Sequence, residues 1–84
     1  MIRVLFFGSV RERLGTDGIE VTAADAGDSV QALRDRLALR GGAWADVFGD
    51  NDRLLAAVNQ QTTLMQTSID DGDEIAFFPP VTGG

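Results

Sequence analysis

Two apolar stretches that each carry a pair of phenylalanines, residues 2–7 and 74–78, stand near opposite ends of this chain, with one strong amphipathic helix between them. Eighty-four residues suffice for one domain with a single small core. Both stretches must therefore enter that core. Residues 2–7 are rich in β-branched and aromatic side chains and stop at Gly8, the mark of a strand. Alternation sets Ile2, Val4 and Phe6 on one face and Arg3, Leu5 and Phe7 on the other. Large apolar groups on both faces predict a central strand with something covering each side.

Between the ends, the pattern predicts short elements. Ser9 and Glu12 have the capping-box spacing, so a helical turn is expected from Ser9 to Leu14, ended by Gly15. Thr16-Asp17-Gly18 reads as a turn, and residues 19–22 alternate as a second strand. Asp28-Ser29 opens the strong helix, with Val30, Leu33 and Leu37 in one apolar stripe and Ala38 at its edge. Arg34, Arg36 and Arg40 load its later turns, where the helix dipole is negative, and Gly41-Gly42 stops it. Trp44 and Val47-Phe48 form a shorter apolar segment with room for a turn of helix. Residues 54–58 read as a third strand, Asn59-Gln60-Gln61 as a hairpin turn, and residues 62–65 as a short return strand. The expected class is α+β of the β-grasp type. The main helix lies across one face of a small mixed sheet, whose first and last strands are side by side. Residues 1–80 are expected to form this domain and residues 81–84 an extended tail.

Composition narrows the chemistry. The chain has no cysteine, histidine or tyrosine, and all seven of its basic residues are arginine. Thiolate and Ser-His-Asp chemistry and the commonest metal ligands therefore lack their parts. A chain so equipped is not expected to be an enzyme by itself, nor to hold a metal or cofactor. The formal charge of −6 argues against nucleic acid and anionic membrane. It suits a partner with a basic docking face, and equally a protein that only needs to stay in solution. The apolar run at residues 2–7 is too short to span a membrane, and no cleavage pattern follows, so a cytoplasmic protein is expected.

Two charged clusters invite a functional reading. Asp70-Asp71-Gly72-Asp73-Glu74 could form a cation loop, but the EF-hand spacing is absent, and a type I or I′ turn ahead of a strand is favoured. Arg11-Glu12-Arg13 suits either a partner contact or a solvated helix face. The aromatics carry more. If the first and last strands are neighbours, Leu5, Phe7 and Phe78 make one apolar patch on the face away from the helix. Such a patch normally marks a partner site. The competing possibility is that Trp44 or Phe48 folds over that face and makes it internal.

The chain closes on Phe77-Phe78-Pro79-Pro80-Val81-Thr82-Gly83-Gly84. The prolines end the strand and stiffen the stem. Two glycines without Cβ can thread a narrow channel. This end suits a carboxylate presented to an enzyme, although a frayed terminus would carry the same residues.

Val4-Leu5-Phe6-Phe7, Arg11-Glu12, Leu55-Ala56-Ala57-Val58-Asn59-Gln60 and the closing block from Asp71 to Gly84 resemble the small subunit of molybdopterin synthase, the MoaD family. The resemblance implies a ubiquitin-like sulfur carrier. An E1-like adenylyltransferase would use ATP and magnesium to adenylylate the carboxylate of Gly84. Persulfide sulfur would then displace AMP to leave a thiocarboxylate. The tail would enter the large synthase subunit, with Thr82 and Gly83 as tunnel contacts, and deliver sulfur to cyclic pyranopterin monophosphate within a heterotetramer. Leu5, Phe7 and Phe78 would anchor the docking face, and Arg11 would contact the activating enzyme. Thr62 departs from the apolar residue expected at the patch edge. The alternatives are a carrier for thiazole synthesis, a modifier joined to target lysines, or an interaction domain with an inert tail.

Overall fold

The first and last strands, β1 (Ile2–Phe6) and β5 (Glu74–Phe78), pair in parallel at the centre of a five-stranded mixed sheet. The computed structural model describes residues 1–50 and 52–80. Val4 lies opposite Ile75 and Phe6 opposite Phe77. β2 (Gly18–Val21) flanks β1, β3 (Leu55–Val58) flanks β5, and β4 (Gln61–Thr63) lies outside β3, each antiparallel to its neighbour. The strand order is β2-β1-β5-β3-β4. The two strands with the largest buried side chains, Phe6 and Phe77 among them, occupy the middle because central positions lose the most water, and the result is the β-grasp arrangement.

One face of the sheet carries the core. Ile2, Val4, Phe6, Ile75 and Phe77 meet Val30, Leu33 and Leu37 of α3 (Val30–Ala38), all essentially buried. Ser29 caps α3 by accepting from the Ala32 amide at 3.1 Å. The segment around Trp44 is a full helix, α4 (Gly42–Phe48), packed against α3. Phe48 lies 5.1 Å from Phe77 and 5.9 Å from Phe6 between ring centroids, and Trp44 meets Phe6 edge-on at 5.5 Å. Both aromatics therefore sit on the helix side. The possibility that they cover the other face is excluded.

Several local expectations shift. The first helix, α1, spans Gly8–Leu14, with Phe7 rather than Ser9 at the N-cap and no side-chain cap. Phe7 still gives its amide to the Phe77 carbonyl at 3.1 Å, and Gly8, at φ +58°, turns the chain straight into the helix. Thr22 is not a strand residue. It caps an unexpected short helix, α2 (Ala23–Ala26), by accepting from the Asp25 amide at 3.0 Å. Gly41 and Gly42 do more than stop α3, because Gly41 is the N-cap of α4 and Gly42 its first residue. Leu54 precedes β3 as a core residue, and Gln61 begins β4 instead of ending the turn. Gly72 alone in its turn has positive φ, at +93°, the signature of type II rather than type I or I′.

Arg34 has a role other than complementing its own helix dipole. It is 9% exposed, and its guanidinium closes the end of α4. Nε donates to the Phe48 carbonyl at 2.9 Å and Nη2 to the Gly49 carbonyl at 2.8 Å. These are carbonyls that a helix end leaves without intrahelical partners.

Candidate functional site

The sheet face away from the helices is open, contrary to the expectation that something covers both sides of β1. Among the described residues no element packs over it. Strand pairing defines its composition. Leu5 and Ala57 each stand opposite Ala76, and Leu55 stands opposite Phe78. Phe7, in extended conformation one residue beyond β1, continues the same alternation. Phe7 is 50% exposed and Leu55 37%. The two alanines in the middle keep the surface flat, while larger side chains rise around them.

The face is polarised along the strands. Arg3 pairs in register with Glu20 and Glu74 at the end where β5 begins. Phe7, Phe78 and Leu55 gather at the end where β5 finishes and Pro79-Pro80 lead away. The apolar surface thus surrounds the root of the C-terminal segment. Thr62 lies opposite Ala57 and so shares the face, adding a hydroxyl at its margin.

Of the residues singled out from the sequence, Leu5, Phe7 and Phe78 come together here. Arg11 does not lie on the sheet. It is exposed on α1, next in sequence to buried Val10. Thr82, Gly83 and Gly84 lie outside the described residues. Sequence reasoning missed Leu55, although a period of two starting from buried Leu54 and Ala56 points to it.

The acidic turn is held by its own hydrogen bonds. Asp73 Oδ2 accepts from the Asp70 amide at 2.8 Å, and Asp73 Oδ1 accepts from Asn59 Nδ2 at 3.1 Å. Asp71 accepts from the Met1 ammonium at 2.5 Å, and that bond and charge hold its carboxyl below the usual carboxylate value. Among the described residues no group of histidine, cysteine or carboxylate side chains is placed to hold a metal ion. No helix among them is long and apolar enough to cross a membrane. The open face is equipped to bind a partner surface.

Residues 4–84 match the ThiS family. The chain belongs to that family. Relatives match over the whole chain. It is 54% identical over 84 residues to the molybdopterin synthase sulfur carrier subunit of Escherichia coli, covering 100% of each. It is 36% identical over 83 residues to the subunit of that name from Mycobacterium tuberculosis, covering 99% of this chain and 96% of the relative. Among solved structures, the small archaeal modifier protein 1 of H. volcanii superposes with a TM-score of 0.75 at 27% identity, over 95% of this chain and 97% of that one. A putative molybdopterin converting factor subunit 1 from Pyrococcus furiosus superposes with a TM-score of 0.74 at 26% identity, over 95% and 97%. The ThiS-family fold and the resemblance to the molybdopterin synthase small subunit agree.

Proposed function

We propose that this chain is the sulfur carrier subunit of a molybdopterin synthase, with the carboxyl group of Gly84 as its reacting end. The supporting observation is end-to-end identity of 54% with a subunit of that name, on a fold whose open apolar face surrounds the root of the tail. Identity with the archaeal modifier protein is half as high, so a protein-modifier role is not favoured.

The chemistry divides between this chain and its partners. A carboxylate resists attack by sulfur because its leaving group would be an oxide. Adenylylation by an E1-like enzyme, using ATP and magnesium and releasing pyrophosphate, converts that oxygen into part of AMP, a good leaving group. The outer sulfur of a persulfide then displaces AMP to form an acyl disulfide. A thiol of the sulfur donor cleaves the S–S bond and is oxidised to a disulfide, and the terminal thiocarboxylate so released carries sulfur to cyclic pyranopterin monophosphate. This chain supplies the acyl group, a glycine tip that leaves the carbonyl unshielded, and a docking face. Thr82 and Gly83 line the passage into the large subunit, while Leu5, Phe7 and Phe78 anchor the face. Arg11 contacts the activating enzyme. The working assembly is a cytoplasmic heterotetramer with a carrier at each end of a large-subunit dimer.

The test is to incubate the full chain with the E1-like enzyme, magnesium, ATP and a sulfur donor, then measure its intact mass. Exchange of one terminal oxygen for sulfur is expected, and adding one residue after Gly84 should abolish it. Loading that persists in the extended chain would remove Gly84 from the mechanism.

A further inference from the structure

The sheet end from which the tail departs has a second surface, on the helix side. Between α1, α4 and the segment leading into β3 lies an open cleft of about 310 Å³. Val10, Val47 and Leu54, each nearly fully buried, form its floor, and Pro79 forms a wall. Arg13 and Arg53 stand at its rim. No carboxylate is among its lining residues, although acidic groups outnumber basic ones 13 to 7 in the whole chain. The volume lies at the floor of the range for small-molecule pockets, roughly 300–1,000 Å³. An open site of that size suits one or two side chains better than a cofactor.

The cleft is continuous with the open face through the backbone. Leu54 immediately precedes Leu55, and Pro79 immediately follows Phe78. Leu54 and Pro79 line the cleft, whereas Leu55 and Phe78 belong to the open face. The cleft therefore lies at the same end of the sheet as Phe78, within reach of a partner that covers the open face there. Arg13 pairs with Asp46 at 3.4 Å, but both side chains are more than half exposed. A long, exposed pair of this kind exchanges for another carboxylate at little cost.

We propose that the cleft receives an acidic–apolar segment of the large synthase subunit. An apolar side chain enters over Val10, Val47 and Leu54, while a neighbouring carboxylate meets Arg13 and Arg53. The stem of the tail is thereby gripped from both sides of the sheet. This rests on the reading that a large subunit receives the tail.

The experiment measures calorimetric affinity of the full chain for the large subunit of the same organism, at low and high salt. At low salt the R13E/R53E variant should bind about tenfold or more weakly than the unmodified chain, and the gap should narrow as salt screens the charges. Circular dichroism checks its fold, and R13Q/R53Q, with a smaller loss and the same salt trend, serves if charge reversal unfolds the chain. Phe78→Asp is the reference that removes the open-face contact. If Phe78→Asp abolishes binding and both arginine variants bind normally, the cleft proposal is overturned and the carrier reading stands. If Phe78→Asp binds normally, the docking-face reading itself fails.

Discussion

Arg34 of α3 donates to the Phe48 carbonyl at 2.9 Å, tying two helices together through a side chain and a backbone group fourteen positions apart in sequence. The bond matters because Phe48 packs on Phe77, the core residue of β5 just before Phe78, the proposed docking anchor. Arg34→Met would keep much of the side-chain bulk but leave the Phe48 and Gly49 carbonyls without these donors. A buried acceptor left unpaired costs about 1–3 kcal/mol. Chemical denaturation should show a loss of that size, and a loss near zero would mean water replaces the guanidinium freely.

The β3–β4 hairpin turns through Asn59 and Gln60, at φ +50° and +70°. Two successive positive φ values mark a type I′ turn, where glycine is favoured at the second position. Gln60 holds a left-handed conformation costing roughly 1–2 kcal/mol. Gln60→Gly relieves that strain but loosens the unfolded chain, so a net stabilisation of about 0.5–1 kcal/mol is expected. A lower melting temperature for this variant would contradict the turn assignment.

Leu55 and Phe78 face each other across the β3–β5 ladder on the open face. Leu55→Asp should therefore weaken association with the large subunit, as is expected of Phe78→Asp, while the isolated chain melts somewhat lower but stays folded by circular dichroism. Fully burying such a side chain is worth roughly 1.5–3 kcal/mol. A partially exposed leucine should give at least a several-fold rise in the dissociation constant. Pull-down and calorimetry would check this, and normal binding by Leu55→Asp would confine the contact to the aromatic residues.

The Asp71 carboxyl is held below its ordinary value of 3.8, chiefly by its bond to the Met1 ammonium and secondly by the same charge. A depressed carboxylate contributes stability above its unfolded value and loses it as pH falls through the folded value. Asp71→Asn should thus melt slightly lower than the unmodified chain at neutral pH, and the gap should close as pH drops below 3.8. The effect is small because the pair is exposed to water. A gap that widened in acid would reverse the assigned sign.

Periodicity by itself determined much of this protein. The alternation of Ile2, Val4 and Phe6 placed a core strand, the Val30-Leu33-Leu37 stripe placed the main helix, and apolarity at both chain ends implied a shared centre. These are local patterns, and burial of one face imposes them directly on neighbouring residues. Tertiary structure alone decided that Trp44 and Phe48 lie under the helices and leave Leu5, Phe7, Leu55 and Phe78 open. It also turned Arg34 from a helix-end charge into a buried clamp. Such outcomes depend on which distant carbonyl or ring comes within a few ångströms once the layers pack, and spacing along the chain does not encode that distance.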